Sequence, residues 1–278
     1  MVWGSRSPLT LDSAAVPPTP LLHALSRLVG WLADRKVPTV LRSPLYSAYA
    51  RATGADLSEA RGPLTIYPSL GSFFVRRLVD GARTVSSDPR HLVSPVDGKV
   101  QEIGPITEGS ILQAKGFDYP VRELLAGVGE DIDLEGGTQW TLYLGPKDYH
   151  RIHTPEAGQL VEAKWVDGAR YSVNPTVLAR RMVFPRNERC VLRYETEHGP
   201  LLLVLVGAVN VGRIRVLGVE PGHAGPVNPA PFERGGELAR FEMGSTIIIV
   251  APPGGLHPTP LLGKGATVRL GQPIGRWW

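Results

Sequence analysis

The longest apolar run in this chain, residues 201–209, is dominated by Leu and Val. A membrane-spanning helix needs about 20 apolar residues, so a run this short, with its branched side chains, reads as a buried strand. Shorter runs of the same character lie at 92–93, 141–144, 191–194, 211–216 and 246–250, each set off by Gly or Pro. The 32 Gly and 26 Pro residues occur without a Gly-X-Y period, which excludes collagen and favours a turn-rich β domain. Helical stretches are expected at 71–78, 121–126 and 176–182. A chain of 278 residues is long enough for a sizeable core. The fold class expected is α+β: a mostly antiparallel, β-rich domain over residues 61–278, preceded by a tail and helices over 1–60.

The N-terminal part has a different period. Residues 1–20 are rich in Ser, Pro and Thr and are expected to be poorly ordered. Leu21, Leu22, Leu25, Leu28, Val29 and Leu32 then fall on one face of a helix, with Trp31 at its margin. Ser43 and Pro44 read as the cap and first position of a second helix, and Gly54 as its stop. Between residues 20 and 52 the basic side chains are Arg27, Arg35, Lys36, Arg42 and Arg51, against one acid, Asp34. A basic amphipathic stretch suits an anionic membrane surface, and it equally suits a helical pair packed on the main domain. The pattern of a signal peptide is missing, so the expected location is cytosolic or peripheral.

Composition narrows the function classes. A formal charge of +4 is too small to imply nucleic acid, and 7% aromatics argue against a base-stacking platform. One cysteine, Cys190, excludes a disulfide framework and a Cys-rich metal site.

Four segments carry candidate chemistry. In residues 94–100 (SPVDGKV), Pro95 and Gly98 bracket Asp97 in a tight turn, where the acid could stabilise its own turn or serve a site. In 148–155 (DYHRIHTP), His150 and His153 stand three apart; His-x-x-His with no third ligand cluster is a weak metal signal, and no metal is expected. In 241–250 (FEMGSTIIIV), Gly244-Ser245-Thr246 feeds a turn straight into a strand. Ser245 can attack the Gly244 carbonyl only if that peptide bends, which Gly makes least costly. Residues 262–275, Gly-punctuated around Lys264, pair with 94–100 in a pattern like the half-repeats of biotinyl and lipoyl carriers. Neither Lys99 nor Lys264 has the neighbours of a modified lysine, so the pattern implies a barrel-like element and no carrier function. Asp97, the His pair and Ser245 could form a charge relay, but the Gly-x-Ser-x-Gly elbow of hydrolases is absent.

Taken in order, these segments resemble the bacterial membrane-associated phosphatidylserine decarboxylases. The resemblance covers about 21–278 and runs through Gly30-Trp31, 72–78 (SFFVRRL), 94–98, 111–116 (ILQAKG), 124–127, 148–153, 172–174, 186–189 (RNER), 205–208, 211–212 and 244–246. It implies a proenzyme that cuts itself between Gly244 and Ser245 into a β chain, 1–244, and an α chain, 245–278. Ser245 would attack the Gly244 carbonyl, and the resulting ester would eliminate and lose ammonia to leave a covalent pyruvoyl cofactor at 245. By the same resemblance, Asp97 and His153 complete the self-cleaving triad with Ser245, and His150 serves the substrate and its protonation. Phosphatidylserine would form a Schiff base with the pyruvoyl carbonyl and yield phosphatidylethanolamine and CO2. The partners implied are the anionic membrane surface, reached by the 21–32 stripe from the cytoplasmic side of the cell membrane, and a second copy in a homodimer; no nucleic acid is expected. Met243 stands where many relatives carry Leu, and the Pro/Gly-rich loop 220–235 is shorter than in some. The rival readings are a pyruvoyl enzyme for a soluble amino acid, a serine hydrolase using Ser245, His153 and Asp97, and a non-catalytic biotinyl-like binding module.

Overall fold

The computed structural model describes residues 28–113, 117–173, 183–208, 214–242, 245–260 and 262–278. The expected cleavage residue Gly244, the stripe residues 21–27 and the expected helix 176–182 lie outside them.

Among the described residues sixteen strands follow one another as β1 (His91–Val93), β2 (Gly98–Thr107), β3 (Ser110–Gln113), β4 (Phe117–Pro120), β5 (Thr138–Leu144), β6 (Arg151–His153), β7 (Gly158–Val166) and β8 (Arg189–Thr196). Next come β9 (Gly199–Val206), β10 (Ile214–Val216), β11 (Ala224–Phe232), β12 (Glu237–Phe241), β13 (Ser245–Ala251), β14 (Leu256–Pro258), β15 (Thr267–Val268) and β16 (Pro273–Trp277). The helices are α1 (Thr39–Thr53), α2 (Leu70–Phe74) and α3 (Val121–Leu125), with residues 28–33 also helical.

The main sheet is antiparallel, in the order β11-β7-β8-β9-β13-β5-β2-β3-β4, with β15 on β2. At its centre the apolar runs explain themselves. Side chains alternate between the faces of a strand. Leu201, Leu203, Leu205, Ile247 and Ile249 enter one core, while Leu202, Val204, Val206, Ile248 and Val250 enter the other. Both faces are covered, so β9 and β13 can be apolar at consecutive positions. Two three-stranded sheets, β1-β16-β14 and β10-β12-β6, complete the strands.

The α+β expectation holds, and so do the strands expected at 92–93, 141–144, 191–194 and 246–250. The segments 94–100 and 262–275 do meet: Lys99 and Gly98 pair with Thr267 and Val268. The sheet order nevertheless has two free ends, so the expected barrel is not closed among the described strands.

Three local expectations change. The second helix starts at Thr39, not at Pro44, which sits inside it. Pro44 lies past the first turn, so one intrahelical bond, to the Val40 carbonyl, is forgone there. Gly54 does end that helix, at φ 81°. The helix expected at 71–78 is only Leu70–Phe74, capped by Ser69, whose hydroxyl accepts from the Ser72 amide. Residues 224–232, expected as loop, form the edge strand β11, paired on β7 with a register shift between Pro226 and Ala230. Proline is compatible with an edge strand, where ladder donors on the outer side are not needed.

Helix α1 packs on the segment that follows it. Tyr46 stacks on Phe73 at 4.8 Å, Tyr67 meets Phe73 edge-on, and the Tyr46 hydroxyl donates to the Tyr67 carbonyl at 2.9 Å. Large apolar side chains stay exposed in this N-terminal part: Leu28, Trp31, Leu32, Val40, Leu41, Leu45 and Ile66, with Val40 at 82%. No helix among the described residues is long and apolar enough to cross a membrane.

Candidate active site

Ser245 is the first residue of β13, opposite Leu144 of β5. It is 0% exposed, and its Oγ has no hydrogen-bond partner among the described residues. A buried hydroxyl without a partner is costly, by about 1–3 kcal/mol, and is uncommon unless the group has other work.

His150 reaches the same strand end. Its Nε2 lies 2.9 Å from the Gly145 carbonyl, one residue past Leu144, and its own carbonyl accepts from the Phe241 amide at 3.0 Å. The ring is fully buried and stacks on Phe74 at 4.0 Å. Burial pulls its pKa down to about 3, helped by the nearby Arg76 cation and opposed by the Gly145 bond. The ring is therefore neutral at pH 7. A carbonyl only accepts, so the proton is on Nε2 and the lone pair is on Nδ1, which has no partner.

His153 is arranged differently. Its Nδ1 is 2.7 Å from the Gly235 carbonyl, and its Nε2 is 3.2 Å from the Tyr149 hydroxyl. Burial lowers its pKa, opposed by the Gly235 bond and by Glu237. Burial also pushes Tyr149 up to about 12. The phenol thus keeps its proton and donates it to Nε2, capping the nitrogen that would act as a base. Tyr149 and His153 line a cavity of about 320 Å³ with Gly235, Glu237 and Leu270.

Asp97 is buried in the turn before β2, and its carboxylate is fully engaged. It accepts from Arg83 Nε at 2.9 Å, from Arg83 Nη2, and from the Leu270 amide at 2.9 Å. Arg83 also holds Glu59, at 2.9 and 2.6 Å. Close approach explains Gly98: a Cβ there would lie 2.4 Å from the Tyr143 carbonyl oxygen. The registers Lys99–Tyr143 and Ser245–Leu144 put Gly98, Leu144 and Ser245 in one row across β2, β5 and β13.

Asp97, His150 and Ser245 thus gather around one end of these strands, with His153 on the adjoining β6. No hydrogen bond joins Asp97 to His153 or His153 to Ser245 among the described residues; their partners are Arg83, Leu270, Gly235 and Tyr149. The sequence reading missed Arg83, Glu59 and Arg76. Arg76 and Tyr149 lie inside motifs already singled out, 72–78 and 148–155, whereas nothing local marks Arg83.

The phosphatidylserine decarboxylase family model matches residues 70–276, which span Asp97, His150, His153 and Ser245. The chain belongs to the phosphatidylserine decarboxylase family. Among its curated relatives, a phosphatidylserine decarboxylase proenzyme of Anaeromyxobacter sp. (strain K) is 41% identical over 265 residues, covering 91% of this chain and 94% of the relative. One from Marinobacter nauticus is 40% identical over 272 residues, covering 93% and 94%. One from Bordetella avium is 37% identical over 266 residues, covering 91% and 90%.

A metal-capable group lies elsewhere in this family member. Glu156, Glu197 and His198 could place ligand atoms within 4.8 Å of one another. The Glu156 carboxylate is already bonded to His198 Nδ1 and, at 3.0 Å, to Trp277 Nε1, and the His198 ring stacks on Trp277 at 4.8 Å. This arrangement ties β16 to the body of the domain.

Proposed function

We propose that this chain is a self-processing, pyruvoyl-dependent decarboxylase that converts phosphatidylserine to phosphatidylethanolamine and CO2. Family membership supports the reaction, and the single observation that supports the site is the buried, unpartnered Oγ of Ser245. Residue 245 fits a pyruvoyl group: it is dry, flanked by the β5 backbone, and its hydroxyl makes no hydrogen bond among the described residues that conversion would break. A pyruvoyl group there supplies a carbonyl that takes up the electron pair left when CO2 departs.

The chain's own residues then have two tasks. For self-cleavage, Ser245 Oγ must lose its proton while it attacks the neighbouring peptide carbonyl. We assign that proton to His153 Nε2, freed when the Tyr149 hydroxyl turns away, with Asp97 stabilising the charge that develops. For turnover, a proton must reach the substrate α-carbon. We assign that to His150 Nδ1, whose open lone pair first takes up a proton from solvent and then delivers it to the α-carbon. An anionic headgroup arriving beside the ring raises its pKa, so the ring can charge when substrate is present. The opposite assignment has one observation in its favour: His150, not His153, bonds to the residue next to Leu144, the partner of Ser245.

The bare face of residues 28–33 and α1 supports docking on the cytoplasmic face of the membrane. Trp31 lies at the margin of the apolar stripe with the Arg35 guanidinium 3.6 Å above its ring, and Arg and Lys flank exposed Leu and Val. This pairing suits an anionic interface.

The deciding experiment is an intact-mass spectrum of the purified chain, followed by CO2 release from phosphatidylserine vesicles. Two fragments are expected, the 245–278 piece lighter by one ammonia, with Ser245→Ala remaining one chain of 30.1 kDa. An uncleaved wild type without CO2 release would end this reading.

A further inference from the structure

Arg76 is a strongly buried cation of this site with no acid paired to it among the described residues. It is 3% exposed, and neither its Nε nor its Nη1 has a hydrogen-bond partner. Only Nη2 is engaged, at 3.2 Å from the Lys147 carbonyl, while the guanidinium lies 5.1 Å from the Phe73 ring. Burial lowers its pKa, against the pull of more distant Tyr49, Tyr67, Glu59 and Asp97. The four acids that line the same space have other partners: Glu59 and Asp97 share Arg83, Asp148 accepts from the Gly145 amide, and Asp56 accepts from Ser58. Burying a guanidinium with donors left open is expensive unless an acceptor arrives from outside.

The space for such an acceptor is present. Arg76 lines a cavity of about 130 Å³ with Asp97, Gly98, Lys147, Asp148 and Tyr149. That is several times the ~30 Å³ share of a water molecule. Gly98, in the wall, stands two strands from Ser245 in the same row, about 10 Å at ordinary strand spacing. In the substrate headgroup the amine and phosphorus are four bonds apart, roughly 5 Å extended. An amine held at residue 245 thus leaves its phosphodiester within about half the distance to the Gly98 wall of that cavity.

We propose that Arg76 binds the phosphodiester of the substrate headgroup in this cavity and thereby sets substrate affinity. The inference rests on the reading of the substrate as phosphatidylserine. The headgroup also carries a carboxylate, but a cation on that group would stabilise the ground state from which CO2 must leave, losing its attraction as the charge departs. The phosphodiester keeps its charge throughout the reaction. Arg76 then binds substrate and transition state alike, which lowers KM and leaves kcat nearly unchanged.

The test compares processed wild type with Arg76→Gln and Arg76→Lys. Self-cleavage is followed by mass. Equilibrium binding is measured by calorimetry with dihexanoyl phosphatidylethanolamine, which has the phosphodiester and no carboxylate, and with an O-alkyl serine, which has the reverse. Kinetics use phosphatidylserine in mixed micelles. Both variants are expected to process fully. Arg76→Gln should weaken phosphodiester binding and raise KM by roughly 10- to 100-fold, as for loss of a charged hydrogen bond. O-alkyl serine binding should be unchanged, kcat should stay within about threefold, and Arg76→Lys should recover part of the loss. A fall in kcat at unchanged KM and unchanged phosphodiester binding would overturn the proposal. So would failure of both variants to process, which would make Arg76 a scaffold for the 145–149 loop. Arg76-dependent phosphodiester binding in a wild type that releases no CO2 would support the binding site and remove the decarboxylase reading.

Discussion

His150 and Ser245 are tied to adjacent residues of one strand end: His150 Nε2 bonds to the Gly145 carbonyl, and Ser245 pairs with Leu144. Each also presents a buried atom without a partner, Nδ1 on the ring and Oγ on the serine. A fold that leaves two such atoms open at one place has forgone hydrogen bonds that other buried groups routinely make.

The two histidines separate by which step each stops. His153→Ala is expected to slow self-cleavage by about 10²- to 10⁴-fold, the usual range for a lost general base, and leave one chain. His150→Ala should still cleave, yet release little CO2. Tyr149→Phe, which removes the donor on His153 Nε2, should speed self-cleavage. Time-resolved gels with parallel CO2 assays check all three; cleavage that survives in His153→Ala and stops in His150→Ala would exchange the roles.

His150 also gives stability a pH dependence. Its ring titrates near 6.5 when unfolded and about 3 when folded. Above pH 6.5 both states hold a neutral ring, and its contribution is fully present. As pH falls below 6.5 the unfolded ring gains a proton that the buried ring refuses, so stability drains progressively toward pH 3. Urea unfolding of Ser245→Ala at pH 7 and pH 5, with and without His150→Gln, isolates the effect. The loss between the two pH values should shrink when the histidine is gone, and an equal loss in both would contradict this account.

Glu156 joins three parts of the chain that are far apart in sequence. Glu156→Ala should lower stability by about 3 kcal/mol, because Trp277 Nε1 and His198 lose their buried acceptor. Glu156→Gln should lose less, since the amide oxygen can still accept from Trp277. A denaturation midpoint unchanged in Glu156→Ala would show that this clasp contributes little.

The bare helical face can be tested without disturbing the core. Val40 and Leu41 are 82% and 54% exposed, so changing both to Ser should alter folding stability by no more than about 0.5 kcal/mol per site. If these side chains enter a bilayer, vesicle binding should fall by roughly tenfold or more, since each buried side chain contributes about 1.5 kcal/mol or more. Flotation with anionic vesicles gives the answer, and unchanged flotation would move the docking surface elsewhere.

Much of the architecture was legible in local pattern. The unbroken apolar runs within 199–206 and 245–251 fit strands covered on both faces, and Gly54 marks a helix end. The motifs holding Asp97, His150, His153 and Ser245 were legible for the same reason, as residue types at short fixed spacing. Pro44 and the Pro-rich strand β11 went the other way. There a tertiary partner, the 64–74 segment or β7, supplied more than the local breaker removed.

The sequence by itself determined the central strands, the family and the motifs that carry the candidate side chains, because periodicity and motif spacing are properties of neighbours along the chain. Tertiary structure decided what each reactive atom faces. His153 Nδ1 meets a carbonyl 82 residues away, and Trp277 reaches a carboxylate 121 residues away. Asp97 is claimed by Arg83 and by the Leu270 amide, 173 residues on, and Arg76 is buried without an anion. Such partners are set by strand register and by burial, which bring together residues that no local pattern relates.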